Sequence, residues 1–261
     1  MLHLGLIAGE RSDDRGPREV IDWPTKFDIL GSQARHPGLA AFYGAGVVSP
    51  DTPLTEVPMV AIDLETTGLD PECDEIVSIA ALPLDLQRIR ASETRQWIVK
   101  PRAELNEQSI TLHGITHAQV TDAPDLLALV DDLLRVFARH VVVVHCREVE
   151  RAFLRCAFRQ RIGEPIEFPM IDTMAIEAGI TRRRKPGLLA RLRGQRPPSL
   201  RLADCRARYG LPRYRPHQAT SDALACAELL QAQVAQHLAA ETPVVHSFPT
   251  RRSSDHRKSV V

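Results

Sequence analysis

One segment constrains this chain more than any other: Val57-Pro58-Met59-Val60-Ala61-Ile62-Asp63-Leu64-Glu65-Thr66-Thr67-Gly68-Leu69-Asp70. It is an apolar run carrying two acids one residue apart. Read as a strand, residues i and i+2 share a face, so the carboxylates of Asp63 and Glu65 project to the same side. Met59, Val60, Ala61, Ile62 and Leu64 leave little solvated face, which places the strand inside a sheet covered on both sides. Two like charges that close repel one another, and withdrawal from water raises the cost. A cation relieves that repulsion, and oxygen-only ligands select a hard ion such as Mg²⁺ or Mn²⁺. Such a site needs further carboxylates and a proton acceptor from elsewhere in the chain.

The organisation around that strand is legible in outline. The 261 residues suffice for one sizeable core plus extensions, and the formal net charge of zero gives no overall signal for a nucleic-acid partner. Residues 1–22 read as a disordered leader, rich in charge and Gly. Residues 23–56 read as a helical extension and linker. Phe27, Leu30, Ala34, Leu39, Ala41 and Phe42 recur at helical spacing, Pro37 interrupts them, and the apolar stripe predicts packing against the rest of the fold.

Residues 57–240 carry the core unit, with strands predicted at 59–64, 75–82 and 94–99. Leu126, Leu127, Val130, Leu133, Leu134 and Phe137 form a helical stripe, and Val141–Val144 is a short buried strand. The next helix runs through Val149, Phe153 and Phe158, with Val149 and Phe153 predicted to face the core and Glu150 beside them. A short strand at 169–172 and helices at 200–209 and 221–238 complete the unit. This order predicts an α/β fold, a mixed sheet with helices on both faces. The five cysteines are odd in number and contain no CxxC, which argues against a disulfide framework or a zinc site and fits a reducing cytoplasm. No apolar run reaches membrane-spanning length, and no signal-peptide layout opens the chain.

Two further clusters supply what the first requires. After the fourth strand comes His145-Cys146-Arg147-Glu148-Val149-Glu150, which places Glu150 in the first turn of a helix, with Glu148 as the competing acid. Before the last helix comes His217-Gln218-Ala219-Thr220-Ser221-Asp222, with Asp222 in the first turn and His217 in the preceding loop. A carboxylate there can ligate a metal, and an imidazole can accept a proton near neutral pH. Between them, from Arg182 to Arg215, twelve bases meet one acid, Asp204, a pattern suited to a phosphate backbone.

Taken in order, Asp-Leu-Glu-Thr-Thr-Gly, His-x-x-x-x-Glu and His-x-x-x-x-Asp resemble the DnaQ-like, DEDDh-type 3′–5′ exonucleases, a group that includes the proofreading subunit of bacterial DNA polymerase III. Ile110–Thr116 is similar to the family's segment between the third strand and the first long helix, and the resemblance spans about residues 57–238. It implies an RNase H-like, mixed five-stranded sheet flanked by helices, and phosphodiester hydrolysis assisted by two Mg²⁺ or Mn²⁺ ions. Asp63 would bridge the ions, Glu65 and Asp222 would complete one site, and Glu150 would serve the other through water. His217 would take the proton from the attacking water. Thr66, Thr67 and Gly68 would lie against the terminal nucleotide, and His145, Arg183 and Arg184 would contact substrate. The family usually has Asp where this chain has Glu150; one extra methylene is compatible with a water-mediated contact.

The implied partner is a nucleic-acid 3′ end, with single-stranded DNA favoured and RNA as the alternative, and a polymerase or other replication or repair protein as a possible associate. A module of the same fold that binds without cleaving is the remaining alternative. At the C-terminus, Ser247–Asp255 resembles a translated sequencing adapter, so residues 247–261 read as a non-native tail.

Overall fold

The computed structural model of the chain describes residues 21–103, 107–183 and 198–238. The leader up to residue 20, the adapter-like tail at 247–261, Arg184 and the side chain of Arg183 lie outside the described residues. Two helices open the described chain, α1 (Trp23–Gln33) and α2 (Pro37–Gly44). The sheet follows as β1 (Met59–Thr66), β2 (Ile76–Leu84) and β3 (Arg95–Ile98). Two short helices, α3 (Glu107–His113) and α4 (His117–Thr121), lead to α5 (Leu126–Phe137), β4 (Val141–Val144), α6 (Arg147–Ile162) and β5 (Met170–Asp172). The remaining helices are α7 (Thr173–Arg183), α8 (Leu202–Arg208) and α9 (Ala219–Gln233).

The five strands form one sheet in the order β3-β2-β1-β4-β5. β1 pairs antiparallel with β2, and β2 with β3, whereas β1–β4 and β4–β5 are parallel. Alternation along β1 divides the core. Val60 and Ile62 pack on one face with Val142, Val144 and the apolar sides of α5 and α6. Met59 and Ala61 pack on the other with Val141, Val143 and a stripe of α9: Ala219, Ala223, Cys226, Ala227 and Leu230. The small residues of that stripe let α9 lie close against the sheet. Asp63 and Glu65 continue the odd-numbered parity of Met59 and Ala61, and so they project toward α9. The β1–β4 pairing ends at Ala61↔Val143, so β1 runs on past its parallel neighbour and carries both acids beyond the end of β4.

Local chemistry sets the element ends. Asp22, read from sequence with the leader, caps α1 by accepting from the Thr25 amide and hydroxyl. Pro37 occupies the first turn of α2, whose leading Arg35 and His36 amides donate to the Glu164 carboxylate at 2.8 Å each. Asp125 caps α5. α6 begins with Glu148 and Glu150 and ends with Arg159, Arg161 and Gly163 at φ 77, charges that suit the helix dipole at both ends.

The N-terminal hairpin is part of the core. Trp23, Phe27, Leu39, Phe42 and Tyr43 are buried with Phe137 and Phe168, the Phe42 and Phe168 rings lying 6.4 Å apart. The Tyr43 hydroxyl accepts from the Glu167 amide at 3.0 Å. On α6 the observed face differs from the sequence expectation. Glu150, Phe153, Leu154 and Phe158 are buried, and Val149 is 43% exposed. The helix is rotated so that its first-turn glutamate, rather than the valine before it, points inward.

A buried guanidinium locks this arrangement. The Arg161 side chain donates to Glu75, just ahead of β2, at 3.1 Å and to the α5 cap Asp125 at 3.0 Å. Arg161→Met leaves Glu75 without its cation and Asp125 with the largely exposed Arg102 at 3.4 Å. Asp125 is a third exposed, so the expected loss is at the lower end of the range for breaking a buried pair, about 3 kcal/mol. Urea unfolding with an unchanged midpoint would contradict this.

Candidate active site

Folding brings three of the expected acids together. One carboxylate oxygen each from Asp63, Glu65 and Asp222 lies within 4.8 Å of the others. Two come from the β1 overhang and the third from the first turn of α9, across the short sheet-to-helix gap left by Ala219 and Ala223. Glu150 stands outside that tight group, but its charge acts on Asp63. It is 6% exposed, and its Oε2 has no hydrogen-bond partner.

Among the described residues the surroundings are short of positive charge. Asp63 is held well above the ordinary carboxylate range by burial, and then by the charges of Asp222, Glu150 and Glu65. Burial, followed by the Asp222 charge, pushes Glu65 up to about 7. Glu150 rises to about 8 through burial; its own backbone amide opposes the rise, and Asp172 and Glu148 add to it. Asp222 is raised by burial even though the Gln218 amide, the Tyr214 hydroxyl and the nearby His217 favour its anion. Buried oxygens without donors are costly unless protonated or met by a cation. Glu65 Oε1 and Glu150 Oε2 are both in that position, so this all-oxygen donor set fits a hard divalent ion.

Each acid has a distinct support. Asp222 accepts from Gln218 N at 2.9 Å through Oδ2 and from the Tyr214 hydroxyl at 3.1 Å through Oδ1. His217 is exposed in the loop just before α9, with φ 62. Glu150 is aimed by Asp172, a buried acid at the end of β5 to which sequence reading assigned no role. Asp172 accepts from the amides of Cys146, Arg147 and Met174 at 3.1, 3.3 and 2.9 Å. It thereby holds Cys146 at φ 98, a left-handed turn that starts α6 directly after β4. An acid ending a parallel strand was the available signal. Tyr214, one of two tyrosines in the arginine run, offered none.

The remaining expected residues fall as follows. Thr66, Thr67 and Gly68 form the turn that ends β1. Thr67 Oγ1 donates to Asp74 at 3.0 Å and accepts from Glu75 N at 3.0 Å. A Cβ on Gly68 would collide with the Asp74 carboxylate, so a larger residue there would have to displace Asp74. His145 is half-buried; its Nε2 donates to Leu200 O and its Nδ1 meets Thr173 Oγ1, both at 2.8 Å. Those contacts tie the segment before α8 to the end of the sheet. The arginine run, expected from sequence to suit a phosphate backbone, is not uniformly exposed. Arg206 is 2% exposed and bonded internally, and Arg208 pairs with the buried Glu177, whereas Arg201, Arg213 and Arg215 are exposed.

A mixed five-stranded sheet with an acid cluster at the end of its central strand is the frame of an RNase H-like nuclease. The family model described as Exonuclease (RNase T) matches residues 60–230, and the chain belongs to that family. It is 27% identical over 182 residues to the PolC-type DNA polymerase III of Thermotoga petrophila, covering 70% of this chain and 12% of that protein. It is also 27% identical over 181 residues to the DNA polymerase III subunit epsilon of Treponema pallidum, covering 69% of this chain and 78% of the relative. In fold it is similar to the zinc-bound E. coli ExoI–ssDNA complex, with TM-score 0.58 and 17% identity over 70% of this chain and 41% of that one. Among the described residues no helix is long and apolar enough to cross a membrane.

The acid cluster sets a pH dependence. Glu65 and Glu150 have folded values above their ordinary 4.5, so their protonated forms stabilise the metal-free fold. That contribution is whole below pH 4.5 and is lost as pH rises through about 7 for Glu65 and about 8 for Glu150. The Tm of chelator-treated protein is expected to fall across this window, and Mn²⁺ to raise it most at the upper end. A Tm that climbs with pH, or is indifferent to Mn²⁺, would contradict a cluster short of positive charge.

Proposed function

We propose that this chain is a metal-dependent 3′–5′ exonuclease that hydrolyses the terminal phosphodiester of nucleic acid, with single-stranded DNA favoured. The observation that carries the reading is the convergence of Asp63, Glu65 and Asp222 within 4.8 Å, with the Glu150 charge acting on Asp63 and His217 in the loop beside Asp222. Asp63, from the β1 overhang, would hold the metal together with Glu65 and Asp222, and Glu150 would add a further carboxylate beside them. A pair of Mg²⁺ or Mn²⁺ ions supplies charge for the entering and departing oxygens and acidifies the attacking water. His217 accepts that water's proton, and its exposure lets it return the proton to solvent. The turn at Thr66, Thr67 and Gly68, stiffened by Asp74, forms a floor for the terminal nucleotide. His145 acts through the loop it ties down, and the exposed arginines of the 182–215 run contact phosphates.

The chain spans 12% of the length of the PolC-type relatives and 78% of the epsilon relative. A relative named as a polymerase subunit, together with a fold neighbour bound to ssDNA, supports work at DNA 3′ ends beside a polymerase in the cytoplasm. RNA is discriminated only by how the pocket treats the 2′-OH, so substrate choice is an experimental matter.

The test is an oligonucleotide assay with 5′-labelled single-stranded DNA and RNA, with and without Mn²⁺. Stepwise shortening from the 3′ end is expected in Mn²⁺ alone. Asp63→Ala is expected to cost about 10³-fold in rate, corresponding to several kcal/mol of lost charge stabilisation. His217→Ala, which removes the proton acceptor, is expected to cost about 10²- to 10⁴-fold. Equal shortening by Asp63→Ala protein would refute the assignment.

A further inference from the structure

The Asp222 carboxylate is held by two donors from different parts of one loop. Gln218 N reaches Oδ2 at 2.9 Å, and the Tyr214 hydroxyl reaches Oδ1 at 3.1 Å. An ionised carboxylate offers about four lone-pair positions. One on each oxygen is taken, and one on each is left for a cation shared with Asp63 and Glu65. Two donors on separate oxygens fix the plane of the carboxylate, which a single donor would leave free to rotate.

The phenol itself is braced. Arg206 is 2% exposed, and its guanidinium lies 5.0 Å from the centroid of the Tyr214 ring. It donates to Ala225 O at 2.8 Å and pairs with Glu228 at 2.7 Å, both on the helix that carries Asp222. It also donates to Pro212 O at 3.0 Å, two residues before Tyr214. Arg206 therefore pins the tyrosine loop to α9. Its Nε is buried without a partner, so the brace is held at a cost that a plain surface loop would not require.

We propose that Tyr214 is a positioning residue for the reaction: its hydroxyl orients Asp222 for metal binding, and Arg206 holds its ring in place. This rests on the reading of Asp222 as a metal ligand. His217 lies three residues further along the same braced loop, so one clamp sets both the ligand and the proton acceptor.

The test is a Mn²⁺ titration of the full chain, followed by EPR, with wild-type, Tyr214→Phe and Asp222→Ala proteins. Tyr214→Phe keeps the ring over Arg206 and removes the donor. Its Mn²⁺ dissociation constant is expected to rise about tenfold, as for other hydrogen-bond partners of metal ligands. Its metal-free Tm is expected to stay within about 5 °C of wild type, the span of one lost hydrogen bond. The rate defect at low Mn²⁺ is expected to be largely recovered at saturating Mn²⁺. Wild-type affinity in Tyr214→Phe overturns the proposal alone, as does a loss of affinity accompanied by a larger fall in Tm. An absence of Mn²⁺ binding by the wild-type chain, or full binding by Asp222→Ala, overturns the reading of the site and the proposal with it.

Discussion

Electrostatic repulsion among Asp63, Glu65, Asp222 and Glu150 is the constraint around which this fold is arranged. Each acid would be unremarkable on a wet surface. Here they are gathered at the end of a central strand, where burial raises every one of them. The rest of the architecture serves to keep them there. β1 outruns β4, which opens the space they occupy. Ala219, Ala223 and Ala227 bring α9 close enough for Asp222 to meet a strand. Binding a divalent ion and keeping the fold tight are thus one requirement, not two.

The backbone around the site is held by acids that are not themselves in the cluster. Asp172 gathers three amides and so permits a left-handed residue, Cys146, where β4 turns straight into α6. Asp74 fills the space above Gly68 and ties the turn at the end of β1. Glu177 accepts from Arg208, Tyr209 and Gln233, joining α7, the end of α8 and α9. A helix that starts at a constrained residue has little freedom to tilt, so Glu150 is delivered at a defined place.

The sheet and its helices were legible because their signals are local. The unbroken run Val141–Val144 reads as a doubly covered strand, and both of its faces are buried. Asp63, Glu65 and Asp222 were legible because parity and helix starts place them without any long-range information. The failures share a cause. Val149 and Glu150 were read in the wrong rotational sense because an apolar residue normally faces inward. On α6 that preference is reversed, with Glu150 6% and Val149 43% exposed. Arg206 reads from sequence as one of a phosphate-facing run, since only the folded contacts of Glu228, Ala225 and Pro212 reveal it as internal. Asp172 acts through amides some 25 residues away at the start of α6, and Tyr214 through a carboxylate across a loop without periodic structure, neither of which spacing alone connects.

The aromatic hairpin at the N-terminus bears on how this protein can be handled. The family match begins at Val60, whereas Trp23, Phe27, Leu39, Phe42 and Tyr43 bury themselves against α5 and Phe168. A fragment cut at the family boundary would keep every acid of the cluster and still shed that greasy plate. The far side of the sheet would then present Phe137 and Phe168 to water, and the fragment would clump before its chemistry could be measured.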